Sequence, residues 1–323
     1  MGAAARSSGD GDHLITAHEL AERLHDPNLR VIDASFELLD PAAGAALYAA
    51  GHVPGAIHLD LDTDLSGPLG AGGGRHPLPD MEAFAATLGE RGIGQGNDVV
   101  VYDQSGGMYA ARAWWLLRYA GHRHTRFLDG GIGEYRRAGG RLPTDVPRHA
   151  ATTFELDLRP DMVATAAEVL RRLGDPTLVL LDARAPERYR GEVEPLDPQA
   201  GHIPGARNLP YTAVLDGGRF LAPARLAEQL ASGLGTGHFE QLATELGHPQ
   251  ADATAAGSRA HVGAGTDIVA YCGSGVSAAQ LVLAFEVAGV TGVRLYPGSW
   301  SEWSSDPDKP VATGNRDGAV VGE

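Results

Sequence analysis

The chain repeats itself. "NLRVIDASF" followed by "AAGHVPGAIHLDL" returns later as "TLVLLDARA" followed by "QAGHIPGARNLPY", which aligns Asp33 with Asp182 and Gly51 with Gly201. Further along, "DVVVYDQSGGMYAARAWWLLRYAG" parallels "DIVAYCGSGVSAAQLVLAFEVAG", and "TRFLDGGIGEY" parallels "VRLYPGSWSEW". A repeated order of motifs restricts the fold to two similar units. In each unit short β-branched runs alternate with helical patterns. Val99–Tyr102 and Ile268–Tyr271 read as fully buried strands. "MYAARAWWLLRYAG" and "VSAAQLVLAFEVAG" read as helices closing at Gly121 and Gly289. This alternation predicts an α/β protein of two tandem domains, each a parallel sheet flanked by helices on both faces.

The expected boundaries are a short disordered leader over residues 1–12, a first domain over 13–148, a linker over 149–160 and a second domain over 161–318. The second half is the longer one. Its excess falls near 232–265, where a Gly-, Ala- and Thr-rich stretch of weak periodicity predicts a partly helical surface insertion.

A length of 323 residues suits two domains, and 43% hydrophobic residues are enough for buried cores. No run approaches the roughly 18 apolar residues of a membrane helix, so no membrane partner is expected. The net charge of −15 argues against nucleic acid, whose phosphates need a basic surface. It also requires that any site for a small anion be electropositive locally, against the global field. One cysteine cannot form an intramolecular disulfide, which fits a reducing compartment such as the cytoplasm.

That cysteine, Cys272, follows a buried strand, stands on the loop "CGSGVS" and precedes a helix. Gly273 and Gly275 let the backbone curl, so that successive N–H groups point inward as an anion nest. The helix N-terminus adds its own unpaired donors and dipole. Such a cradle favours a thiolate over a thiol and holds a persulfide equally well, which makes Cys272 a nucleophile candidate. The plainer alternative is a small buried hydrophobe. Against it stands the duplicate, which carries Asp103 at the matching position, so the fold does not need sulfur there. A phosphatase or arsenate reductase would use a similar loop, with arginine six positions after the cysteine; that position is Ala278.

These motifs together ("GHVPGA" and "GHIPGA", "DAR" with "ERYRGEVEP", "CGSGVS", and "LYPGSWSEWSSDP" with "KPVATG") resemble the two-domain rhodanese family. Within it they are most similar to the 3-mercaptopyruvate sulfurtransferases. The resemblance runs from about Leu14 to Gly314. It implies a non-catalytic first domain, a catalytic second domain and a site between them. Cys272 would accept sulfane sulfur from a small anionic donor and pass it to a thiol, to cyanide or to a thioredoxin-like acceptor, with no cofactor and no metal.

The backbone of Gly273, Gly275, Val276 and Ser277, with Ser274, would hold the transferred sulfur. Arg188 would grip the donor carboxylate, for which a guanidinium fork is suited. Ser274, His76 and Asp62 match a family proton-relay set, a hydroxyl oriented by imidazole and imidazole by carboxylate. Gly273 and Ser274 are neutral where thiosulfate-using relatives are basic, which favours mercaptopyruvate. One departure is that Leu196 and Asp197 stand where a second arginine is expected. Arg190 or Arg184 are the local substitutes, with Arg184 better placed to brace the loop. The alternatives are a thiosulfate sulfurtransferase, a persulfide relay module serving a protein partner, and a redox-sensing thiol.

The remaining motifs read as structural. His52 and His202 would shape turns with Pro54 and Pro204. Trp114 and Trp115 read as core and interface residues, and Trp300 and Trp303 as packing.

Overall fold

A computed structural model describes residues 12–70, 72–235, 260–261 and 265–315. The leader (but for Asp12) and most of the 232–265 insertion lie outside the described residues.

The first sheet holds β1 (Leu14–Ile15), β2 (Leu29–Asp33), β3 (Ala56–His58), β4 (Asp98–Tyr102) and β5 (Thr125–Leu128). All are parallel, in the order β1-β5-β4-β2-β3. The second half contributes β6 (Leu178–Asp182), β7 (Arg207–Asn208), a hairpin of β8 (Leu215–Asp216) and β9 (Arg219–Phe220), β10 (Ala260–His261), β11 (Asp267–Tyr271), β12 (Val290–Thr291) and β13 (Arg294–Leu295). Its main sheet is parallel with the order β13-β11-β6-β7, and a parallel bridge from Val163 to Leu295 takes the place of β1. The registers coincide: Asp33 faces Tyr102 across β2 and β4, as Asp182 faces Tyr271 across β6 and β11.

Both faces of each sheet are covered, which explains why the central strands are apolar without alternation. Val99 and Val101 point into one core with Phe84 and Leu88, while Val100 points into another with Leu20 and Ile132. In the second sheet Ile268, Ala270 and Cys272 share one face, and Val269 and Tyr271 the other, with Trp300 and Trp303.

The helices Met108–Tyr119 and Ser277–Val287 follow the two central strands and pack on each other. Each is apolar nearly all round because it lies between its own sheet and its counterpart. Trp114, Trp115 and Phe285 therefore belong to a single cluster that runs through both domains. A second clasp joins the halves: Asp129 accepts from the Phe220 N–H at 2.9 Å and from Arg219 Nε at 3.0 Å.

The two histidine turns are structural. The His52 ring stacks on Tyr48 at 4.0 Å with Nδ1 at 2.9 Å from the Tyr48 carbonyl. The His202 ring stacks on Tyr189 at 3.8 Å with Nδ1 at 2.7 Å from the Tyr189 carbonyl. The next residue then ties each turn to the end of the central strand. The Val53 N–H donates to the Tyr102 hydroxyl at 3.0 Å, and the Ile203 N–H to the Tyr271 hydroxyl at 3.1 Å. Removing either hydroxyl strands a buried N–H, so Tyr102→Phe and Tyr271→Phe should each lower the unfolding free energy by about 1–3 kcal/mol. Denaturant unfolding of the two variants checks this.

Candidate active site

Strand β11 delivers Cys272 to the C-terminal edge of the second sheet, where parallel α/β folds place their ligands. The residue is 2% exposed. Its N–H donates to Ser299 Oγ at 3.1 Å, and that hydroxyl donates to the Tyr296 carbonyl at 2.8 Å. The Cys272 carbonyl accepts from the Trp300 N–H, and the Gly273 carbonyl from the Ser301 N–H, both at 2.9 Å. Ser299 is held at φ 54°, the only non-glycine residue at positive φ among the described residues. A buried left-handed serine costs about 1–3 kcal/mol and persists only where its surroundings enforce it. Nothing in the local pattern of "GSWSEW" singles it out.

Gly275 has φ 75°, and a Cβ there would come within 2.4 Å of the Pro297 carbonyl oxygen, so glycine is required. Gly273 corrects the expectation made for it. Its φ is not positive; what it supplies is room, because a Cβ would lie 2.9 Å from Arg75 Nη2 and 3.5 Å from Arg188 Nη1.

The first domain shows what this loop geometry binds. The buried Asp103 carboxylate accepts from the N–H groups of Ser105 (2.9 Å) and Gly107 (2.8 Å) on one oxygen, and of Tyr109 and Ala110 (both 3.0 Å) on the other. Burial, the larger effect, holds its carboxyl above the usual carboxylate range, and these donors pull it only partly back. Four converging N–H groups at a helix start form a cradle for an anion. In the second domain Cys272 stands at the corresponding place, and the loop Gly273–Val276 leads into the helix from Ser277.

The loop before the helix Met81–Glu90 brings His76 across the domain boundary. His76 Nδ1 is 2.7 Å from Ser274 Oγ, and Nε2 is 3.5 Å from Asp62 Oδ1. The three residues grouped from sequence are thus brought together. Burial, then the charges of Arg112 and Arg75, drive His76 down to about 3, so the imidazole is neutral at ordinary pH. Asp62 is pushed up by partial burial and by Asp60.

Arg188 rises from the short helix Pro186–Tyr189, with Nη2 at 2.6 Å from Glu194 Oε1 and 3.1 Å from Asp197 Oδ2. Asp197 also ion-pairs with Arg75 of the first domain. A second guanidinium is thus brought beside Asp197 from the other domain. Sequence reasoning passed over Arg75, although it directly precedes His76 in "GGGRHPLP", because its nearness to Asp197 spans the whole interface. Arg184 is a brace, buried against Asp182 at 2.6 Å and stacked over Trp300. Arg190 is turned away, paired with Glu192 at 2.7 Å. Between the domains lies a cavity of about 220 Å³, walled by Leu38, Arg75, His76, Met108 and Tyr109 on one side and by Arg188, Leu196, Tyr211 and the Cys272 loop on the other.

This fold and this loop define the class. The Rhodanese-like domain family matches residues 16–138 and again 165–306, so the chain belongs to the rhodanese family as a two-domain member. It is similar to a Pseudomonas aeruginosa protein named "Probable 3-mercaptopyruvate sulfurtransferase", with 43% identity over 94% of this chain and 98% of that one. It is also 41% identical to a Mycobacterium tuberculosis protein named "Putative thiosulfate sulfurtransferase SseB", again over 94% and 98%. Among solved structures, the Escherichia coli 3-mercaptopyruvate enzyme superposes with a TM-score of 0.73 at 29% identity, covering 90% of this chain and all of that one. No helix among the described residues is long and apolar enough to cross a membrane.

The neutral His76 carries a pH signature. The unfolded chain binds a proton at this histidine near pH 6.5, while the folded one does so only near 3. Stability therefore falls as pH drops from 6.5 toward 3, on the order of 2 kcal/mol from this residue by pH 5. His76→Gln should flatten that dependence, and urea unfolding at pH 5 and pH 7.5 checks the difference.

Proposed function

We propose that this chain is a sulfurtransferase that takes sulfur from 3-mercaptopyruvate onto Cys272 as a persulfide and hands it to a thiol or to cyanide. The observation that carries the donor assignment is at Gly273. Arg75 Nη2 and Arg188 Nη1 both face it, and neither has a protein acceptor among the described residues. Asp197 and Glu194 hold the other edges of the two guanidiniums, which leaves open donors beside the nucleophile for a planar carboxylate.

The two arginines and two carboxylates cancel in charge. That balance suits a donor with one carboxylate better than the thiosulfate dianion, in keeping with the neutral Gly273 and Ser274.

The reaction follows from this placement. The Cys272 thiolate attacks the donor thiol sulfur; the S–S bond forms as the donor C–S bond breaks, and its electron pair leaves as the enolate of pyruvate. The donor S–H proton ends on the enolate carbon, so the half-reaction gives Cys272 persulfide anion and pyruvate with no net proton change. Ser274 serves that transfer. With Nε2 protonated toward Asp62, His76 Nδ1 accepts the Ser274 hydroxyl and orients its oxygen. In the transfer the Ser274 oxygen takes the donor S–H proton while its own hydroxyl proton turns from His76 Nδ1 to the enolate carbon, so Ser274 ends as it began and the weakly basic His76 does not become imidazolium. An acceptor thiolate then attacks the outer sulfur and releases Cys272 thiolate; cyanide leaves as thiocyanate. The acceptor class extends to thioredoxin-like proteins.

Steady-state transfer to cyanide tests this, comparing 3-mercaptopyruvate with thiosulfate. Mercaptopyruvate should be preferred, and Cys272→Ser should abolish turnover. Arg75→Gln and Arg188→Gln should each raise KM for mercaptopyruvate about ten-fold or more, with the smaller effect on kcat. Preference for thiosulfate would overturn the donor assignment, and one persulfide per chain without turnover would move the protein to a relay role.

A further inference from the structure

Arg112 lies in the middle of the helix Met108–Tyr119, inside the run "AARAWWLL", and is fully buried. Its guanidinium is ringed by backbone carbonyls. Nη1 donates to Gly275 in the Cys272 loop at 3.3 Å, and Nη2 reaches Leu65 at 3.4 Å, His76 at 3.2 Å and Pro77 at 3.3 Å. Nε has no partner. These bonds are long, and among the described residues no carboxylate pairs with the charge. The other guanidiniums of the site differ: Arg75 has Asp197, Arg184 has Asp182 and Glu194, and Arg188 has Glu194 and Asp197. A buried, uncompensated cation is costly and calls for an anion that completes it.

The repeat shows which. "AAR" at Ala110–Arg112 aligns with "AAQ" at Ala278–Gln280. Each side chain reaches across to the opposite loop: Arg112 to Gly275, and Gln280, also fully buried, to the Gly106 carbonyl at 3.5 Å. The loop that carries the Asp103 carboxylate is met by a neutral amide. The loop that carries Cys272 is met by a cation. A carboxylate is a strong acceptor and is satisfied by four N–H groups. Sulfur is a weak acceptor with diffuse charge, so hydrogen bonds serve it less and a full countercharge serves it more.

We propose that Arg112, supplied by the first domain, is the counter-ion of the anionic sulfur on Cys272, a positioning residue that stabilises both its thiolate and its persulfide. This rests on Cys272 acting as the sulfur-carrying nucleophile. Its electrostatic setting isolates the effect. The other ionisable groups that line the same cavity are Arg75, Arg184 and Arg188, already paired with carboxylates, and His76, Tyr109 and Tyr211, of which burial also pushes the Tyr109 hydroxyl up. Burial keeps His76 neutral and pushes the Tyr211 hydroxyl up, with Asp103 and Cys272 adding to the latter. Burial lowers Arg112 only to about 10, so it remains charged at neutral pH.

Cys272 is the only cysteine in the chain, so its alkylation by iodoacetamide can be followed from pH 5 to pH 10 without a sulfur donor. Arg112→Gln should react about ten-fold more slowly at pH 7, its rate profile displaced to higher pH, while Arg112→Lys should stay within about three-fold of wild type. A folded Arg112→Gln with the wild-type profile overturns the proposal, as does an Arg112→Lys as impaired as Arg112→Gln.

Should the glutamine variant not fold, Arg112→Met is the second neutral replacement, read by the same alkylation profile, and a folded Arg112→Met with the wild-type profile overturns the proposal. Because no donor is present, failure here is distinct from a failed preference for mercaptopyruvate.

Discussion

The helices Met108–Tyr119 and Ser277–Val287 lie against each other because neither has a polar face to offer water. The interdomain part of the site depends on that contact. It sets the Cys272 loop against the loop that carries Arg75 and His76, and so allows the bond from Ser274 to His76 and the pairing of Arg75 with Asp197. It also brings Arg112 to the Gly275 carbonyl. A mutation that loosened the shared apolar cluster around Trp114, Trp115 and Phe285 would disperse the site without touching any polar residue in it.

Much of this was legible in the sequence. The duplicated order of motifs and the unbroken apolar runs in β4 and β11 specify two parallel sheets, since only strands covered on both faces need no polar alternation. Cys272, Arg188, Ser274, His76 and Asp62 could be singled out because strand–loop–helix context and the resemblance to a known family marked them. What escaped was set by long-range geometry. Arg75 pairs with a residue 122 positions away. Gly273 answers to the size of two arginines rather than to its own backbone angles, and Ser299 is strained by contacts that no local pattern records. Arg112 did leave a signal, a charge inside the apolar run "AARAWWLL", but only the fold shows what it faces.

The two loops are variations on one anion cradle. In the first domain the anion is built in, and Asp103 uses the four N–H groups permanently. A carboxylate cannot carry sulfane sulfur; there it ties the loop to the start of the helix. In the proposed cycle the anion of the second domain is exchangeable, a sulfur on Cys272 that changes from thiolate to persulfide and back. Such a site must tolerate two occupants of different size, and a countercharge acting at a distance accommodates both more readily than a fixed set of short hydrogen bonds.

The carboxylates around Arg75 and Arg188 look at first like competitors for the donor. Their effect is instead to fix orientation. Glu194 and Asp197 are almost fully buried, and each grips a guanidinium by one edge, so the planes of the two forks are set before a donor arrives. A chain of net charge −15 gains little from general attraction of anions, and the local balance of two arginines against two carboxylates adds none. On the proposed reading, selection of the donor rests on the directed N–H groups beside Gly273, the residue next to Cys272. A planar carboxylate two carbons from its thiol can meet both demands at once, and this pre-organisation converts binding at one end of the donor into alignment of its sulfur at the other.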